Sequence, residues 1–296
     1  MALLGDSTLR KLDRLTLASR RIRAGTVKGE RRSKQHGTSI EFADYRDYVQ
    51  GDDLRRVDWN IYARLDRPYL KLLEEEEELA VHVLVDASGS MNWGEGDEHK
   101  FTYAVKLAAA LGYVALRSGD RLTVSLIRSV NGGRPARFGP HRGRGHALPL
   151  FHFLEAQSPL GQTDLTSGLR NYAIAARRPG LAYLISDLLS PSGFQEGLSH
   201  LQGRGYELGV LHVLCPDELD PLLSGDLRLV DVETNEGQDV TLDGGMRDLY
   251  QRRVHEWRDG IEAFCAKRSM HYLLVETSMP LEVLVLEEMR RKGLVR

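Results

Sequence analysis

The chain has 296 residues, of which 42% are hydrophobic and 28% charged, with a formal net charge of -2. That is a globular balance with material for a sizeable core, and it argues against a whole-protein nucleic-acid binder. Two cysteines, Cys215 and Cys265, stand far apart in no metal-type spacing, so buried reduced thiols are expected.

Residues 1 to about 36 are strongly basic, with Arg10, Lys11, Arg14, Arg20, Arg21, Arg23, Lys28, Arg31, Arg32 and Lys34. Leu9, Leu12, Leu15 and Ile22 recur at spacings of three and seven, so part of this arm is expected to be an amphipathic helix. Two readings stay open: an arm for nucleic acid or an acidic surface, or a solvated helix whose leucines pack on the body. No secretory leader is recognisable, because Leu3 and Leu4 are followed at once by Asp6, Arg10 and Lys11. The most apolar stretch, Tyr103 to Leu116, is interrupted by Lys106 and too short to span a bilayer, so the expected location is cytoplasmic.

Residues 37–78 are turn-rich and dense in polar and aromatic side chains, with turns at Gly51-Asp52 and Arg67-Pro68. Arg46, Asp52, Arg55, Asp58, Trp59 and Arg64 are candidates for partner binding. The competing reading is a salt-bridged scaffold, with Trp59, Tyr48 and Tyr62 used for packing. Glu74 to Glu78 read as a solvated edge ahead of a strand.

From about residue 79 to the end, at 296, strand and helix patterns alternate. "LAVHVLVD", "RLTVSLI", "LAYLISD", "YELGVLHVL" and "MHYLLVET" read as strands. "FTYAVKLAAALGYVALRSGD", "DLTSGLRNYAIAARR", "GFQEGLSHLQGRG" and "RDLYQRRVHEWRDGIEAFCAKRS" read as helices. That rhythm predicts an α/β fold with a doubly wound, mainly parallel sheet, Rossmann-like in plan, behind a small N-terminal appendage. Between Asp226 and Asp243, Asn235, Glu236 and Gly237 separate two β-rich runs, which predicts an inserted β-hairpin. His141, His146 and His152 follow no coherent metal spacing and read as loop or core residues.

In such a sheet, ligands sit beyond the carboxyl ends of the strands. "VLVDASGSM" ends a strand on Asp86, with Ser88 and Ser90 in the following turn; "GQTDLTSGL" places Thr163 just before a helix; "YLISDL" ends a strand on Asp187. Taken singly, Asp86 with its serines is an ordinary turn, and Asp164 a helix cap. Taken together, two carboxylates and three hydroxyls form an oxygen-only donor set, which selects Mg²⁺, Mn²⁺ or Ca²⁺. Gly89 between the serines relaxes the backbone so that alternate residues can turn inward. Neutral hydroxyls leave an ion electron-poor, so it welcomes a carboxylate from outside.

Asp-x-Ser-x-Ser after an apolar strand, then Thr-Asp-Leu, then a strand ending in Ser-Asp, resembles the metal-ion-dependent adhesion site of von Willebrand factor A domains. The resemblance implies direct metal contacts from Ser88, Ser90 and Thr163, contacts from Asp86 and Asp187 directly or through water, and a sixth position for a partner's Asp or Glu. Ahead of it, Arg46, Tyr48, Gly51, Asp52, Arg55, Asp58, Trp59, Ala63, Arg64 and the glutamate run resemble the opening of the bacterial "domain of unknown function 58" family, over about 37 to 280. Many members of that family carry membrane helices. The resemblance implies work alongside a MoxR-type AAA+ ATPase in chaperone-like complex assembly. Enzyme readings lack their motifs: there is no P-loop, no Gly-x-Ser-x-Gly elbow, and Ser88 stands where an aspartyl-phosphate enzyme would need a second Asp. A metal-dependent phosphohydrolase in the same crevice and a nucleic-acid module built on the basic arm are the alternatives to an adaptor.

Overall fold

A computed structural model describes residues 3–19, 40–75, 79–128, 135–161, 164–176, 178–221, 225–230, 237–242 and 244–296. The chain divides into two compact units, Arg21–Glu78 and the remainder. Residues 1–20 group with the larger unit, so the expected boundary at 36 does not coincide with this division.

In the smaller unit, β1 (Ile40–Asp47) and β2 (Tyr69–Glu75) pair antiparallel, from Asp47 opposite Tyr69 to Ile40 opposite Glu75. Between them lies α2 (Trp59–Leu65), named so because α1 (Asp6–Leu12) precedes it in the larger unit. Asp58 caps α2 by accepting from the Asn60 and Ile61 amides, which satisfies donors that the first helical turn leaves free.

The larger unit is built on a six-stranded sheet: β3 (Ala80–Asp86), β4 (Arg121–Ile127), β5 (Arg137–His141), β6 (Leu181–Ser186), β7 (Glu207–Leu214) and β10 (His271–Glu276). Their order is β10-β7-β6-β3-β4-β5. All neighbours run parallel except β5, which closes one edge antiparallel to β4. The doubly wound expectation is therefore met, with one reversed edge strand. The predicted hairpin is also present, as β8 (Gly225–Val230) and β9 (Gly237–Leu242); the expected turn residues Asn235 and Glu236 lie outside the described residues.

The helices of this unit after α1 are α3 (Lys100–Arg117), α4 (Ala147–Glu155), α5 (Leu165–Ala175), α6 (Gln195–Gly203), α7 (Pro216–Leu219) and α8 (Gly244–Lys267), followed by short helical segments over 281–291. All six residues of β6 are buried, as continuous apolar strands covered on both faces must be. One core cluster takes in α3, α4 and the leucines Leu12, Leu15 and Leu17; the other takes in α5, α6 and part of α8. The described leucines of the basic arm thus pack on the body. Residue 18 hydrogen-bonds back to the carbonyl of Leu294, which ties the two ends of this unit together. Helix α3 is alanine-rich, starts at a His99 cap on the Thr102 amide, and ends before Gly119, whose φ of +80° a side chain would resist. The sequence reading did not anticipate β5 or α4. Gly139 and Pro140 interrupt the first, and the second carries Pro149, so neither pattern is clean.

Candidate metal centre

The strand order reverses between β3 and β6. In an open parallel sheet, loops from two such neighbours diverge, and ligands bind beyond their carboxyl ends. Asp86 is the last residue of β3, and Ser186, the last of β6, is followed by Asp187. Because Val85 sits opposite Ile185 in the parallel ladder, the next residues emerge side by side. The Ser186 hydroxyl donates to Asp86 Oδ2 at 2.6 Å, and the Ser88 amide donates to Asp86 Oδ1 at 3.0 Å. Ser88 and Ser90 are 2.9 Å apart at their hydroxyl oxygens. Asp86 and Asp187 are 2% and 1% exposed, so neither is a surface turn residue. The structure brings Asp86, Ser88, Ser90 and Asp187 to one crevice.

Thr163 lies outside the described residues. On either side of it, Gly161 accepts from the Gly89 amide at 2.7 Å, and Asp164 caps α5 by accepting from the Ser167 amide at 2.8 Å.

The sequence reading missed two participants. Lys100, fully buried at the start of α3, donates to Asp187 Oδ2 and to Glu218 Oε1, each at 2.7 Å. Burial alone would lower the lysine, but the Asp187 and Glu218 charges outweigh it and hold Lys100 above its ordinary value. Burial raises Glu218 despite that lysine. In the sequence, Lys100 is a lone cation beside a helix start, and Glu218 lies in a short acidic turn after a strand. Both patterns usually mean solvent. Only a capping pattern pointed to Glu218, whose Oε2 accepts from the Cys215 amide at 2.9 Å.

The charge balance bears on whether an ion suits the site. Asp86, Asp187 and Glu218 meet one lysine, which leaves two negative charges over if all are ionised. Burial, and then the charge of Asp187, push Asp86 up to about 7. A carboxylate with no cation paired to it in a buried crevice either takes a proton or needs a positive neighbour. Among the described residues, no group of three His, Cys, Asp or Glu side chains gathers as a metal site. The donors that do meet here are two carboxylates with hydroxyls, a set that fits a hard divalent cation. Leu188, just beyond Asp187, holds a φ of +58°, uncommon for a leucine, and its amide donates to Ser186 Oγ at 2.9 Å. Strain of that kind fixes how the chain leaves the crevice.

In the smaller unit, Arg46 grips Asp52 with two hydrogen bonds of 2.9 and 2.7 Å, and Asp52 also accepts from the Val49 amide. Asp58 accepts from the Tyr45 hydroxyl at 3.1 Å besides capping α2. These contacts fit the scaffold reading for Arg46, Asp52 and Asp58. Trp59 differs from its packing expectation: it is 59% exposed and meets Tyr62 edge-on with ring centres 6.0 Å apart. Its place at the first turn of a short helix leaves its face outward. Arg55 and Arg64 are exposed, Arg64 in the last turn of α2. Cys215 and Cys265 are free and buried, as expected. Among the described residues, no helix is long and apolar enough to cross a membrane.

Comparison with known families matches residues 44–260 to the family described as "Protein of unknown function DUF58". An uncharacterised protein of Mycobacterium tuberculosis is 29% identical over 231 residues, covering 77% of this chain and 72% of its own. Among solved structures, the conserved hypothetical protein BatB from Bacteroides thetaiotaomicron is similar at 15% identity and a TM-score of 0.43, over 73% of this chain and 98% of that one. A TRAP protein of Plasmodium vivax, described as manganese-loaded, is similar at 22% identity and a TM-score of 0.34, over 46% of this chain and 57% of that one.

Proposed function

The chain belongs to the DUF58 family of proteins of unknown function, and from that premise we propose that it is a metal-dependent protein-binding adaptor rather than an enzyme. The observation that carries this reading is the meeting of Asp86, Ser88, Ser90 and Asp187 at the switch point, with both carboxylates buried and short of positive charge. These side chains, with Thr163, would hold Mg²⁺, or Mn²⁺ or Ca²⁺ in its place. When bound, such an ion offers an open position to the carboxylate of a partner's Asp or Glu.

The chain's own residues do the positioning. Ser186 and the Ser88 amide fix the plane of Asp86. Lys100 holds one oxygen of Asp187, and the Leu189 amide holds the other at 3.1 Å. The imidazole touching this centre is already engaged: His212 Nε2 donates to the Asp187 carbonyl at 3.1 Å, and its Nδ1 accepts from the Tyr272 hydroxyl at 2.9 Å. Burial lowers His212 to about 4. His212 therefore offers no free nitrogen for general-base chemistry. The partner proposed from the family resemblance is a MoxR-type AAA+ ATPase, with the pair acting in complex assembly in the cytoplasm.

The test is a pull-down of a MoxR-type ATPase by the full chain, with Mg²⁺ and with EDTA, and with Asp86→Ala and Ser88→Ala. Capture should fall about tenfold or more in each deprived case, the cost of one lost charged contact. Capture indifferent to EDTA and to both substitutions sinks the metal bridge.

A further inference from the structure

At the other end of the same sheet lies a cavity of about 600 Å³, within the size range of small-molecule sites. Three arginines line it: Arg121 at the start of β4, Arg137 on the edge strand β5, and Arg178 beyond α5. The strand register explains why they converge. Ala80 lies opposite Arg121, His82 opposite Thr123, and Arg137 opposite Ser125. Alternate residues on paired strands share a face, so His82, Arg121, Thr123 and Arg137 all project to the side covered by α5. The reversed strand β5 extends that face past the helix, and the cavity opens there.

Among the described residues, no Asp or Glu lines the cavity. Arg137 is held with its guanidinium 5.5 Å from the centre of the Tyr172 ring, so its fork is partly ordered in advance. The floor is polar and closed: Thr123 is 2% and His82 5% exposed. Beside it, Tyr206 has its ring 5.1 Å from that of His82, and its buried hydroxyl has no hydrogen-bond partner among the described residues. The rest of the lining is small and apolar, namely alanines and Pro140.

We propose that this cavity binds a small phosphorylated organic molecule, with Arg121, Arg137 and Arg178 on the phosphate and the apolar wall against the organic part. Guanidinium forks match phosphate oxygens in pairs, and three of them offer more donors than a single carboxylate can use. His82 is four residues from Asp86 along β3, about 13 Å, so the cavity is independent of the metal reading.

The experiment is calorimetric titration of the full chain in EDTA at low salt with AMP, with inorganic phosphate and with a glutamate-only peptide. The expected result is saturable AMP binding that weakens as salt rises. Arg137→Ser and Arg178→Ser, both at exposed positions, should each weaken AMP about tenfold or more while leaving thermal unfolding in place. Inorganic phosphate should bind more weakly than AMP. No AMP binding, AMP binding unchanged in both variants, or the peptide binding more tightly than AMP would each overturn the proposal. Phosphate binding as tightly as AMP would remove the organic ligand from it.

Discussion

At the carboxyl ends of β3 and β6 the sheet gathers buried acids around one buried lysine, whereas at the amino ends of β3 and β4 it gathers arginines around an open cavity. The difference lies in what burial does to charge. Taking an ion out of water costs several kcal/mol unless partners replace the lost solvation. At the acidic end Asp187 and Glu218 share the Lys100 ammonium, while Asp86 has hydrogen bonds from Ser186 and Ser88 but no cation among the described residues. The arginines at the basic end are partly or fully exposed and pay little of that cost. Substitutions at the two ends should therefore read out differently. At the acidic end they should act on folding or on response to ions; at the exposed Arg137 and Arg178 of the basic end they should act on ligand affinity with folding spared.

The strongest way to break this contrast is Lys100→Met. It keeps the volume of the side chain and leaves buried Asp187 and half-buried Glu218 without their ammonium. Removing one partner of a buried pair costs about 3–5 kcal/mol, read as a shift of the urea midpoint. A loss as small as that of a surface charge would mean that water reaches the pair, and the distinction between the two ends would fall.

Second in size is a pH effect on His82, a buried residue of β3 on the floor of the cavity. Its Nε2 donates to the Arg178 carbonyl at 3.1 Å and its Nδ1 accepts from the Tyr172 hydroxyl at 2.7 Å, which suits a neutral ring. Burial, with the nearby Arg137 charge, lowers it from 6.5 to about 4, while the Arg178 carbonyl opposes the shift; Tyr206 also packs on the ring. Protons therefore bind the unfolded chain more readily between those values. The stability that His82 contributes is fully present above pH 6.5 and is lost as pH falls towards 4, on the order of 3 kcal/mol in total. Denaturant midpoints across that range in the parent and in His82→Gln should show the slope shrinking in the variant. An unchanged slope would assign the acid sensitivity elsewhere.

How much of this was legible beforehand follows the same division between local pattern and burial. The apolar runs ending at Asp86 and Asp187 could be read as strands because a parallel sheet covered on both faces demands continuous hydrophobic residues. Strand–helix alternation then placed both carboxylates at the ligand end. Lys100 and Glu218 stayed hidden because a sequence does not tell a solvated lysine from one enclosed by a distant turn. The arginine cavity was equally opaque: Arg121 and Arg137 meet through the reversed pairing of β5, and Gly139, with its φ of +90°, belongs to a strand whose apolar period is broken.

The smallest stability change should come from the residue with the largest functional one. Asp86→Asn preserves shape and can still accept one of the two hydrogen bonds from Ser186 and the Ser88 amide, while removing a charge that burial and Asp187 both oppose. A lost hydrogen bond and a relieved buried charge offset each other, so without divalent ions the variant should unfold within about 1 kcal/mol of the parent. With Mg²⁺ the two should part. An ion that binds only the folded chain stabilises it by about 2.7 kcal/mol at a hundredfold excess over its dissociation constant. Thermal unfolding of the parent should therefore rise with Mg²⁺, and that of Asp86→Asn should stay flat. A variant that keeps the rise would remove Asp86 from the ion's ligands; a parent without it would leave Lys100 as the counter-charge at this end. The buried acids would then be structural, and the sheet would have one ligand end, the basic one.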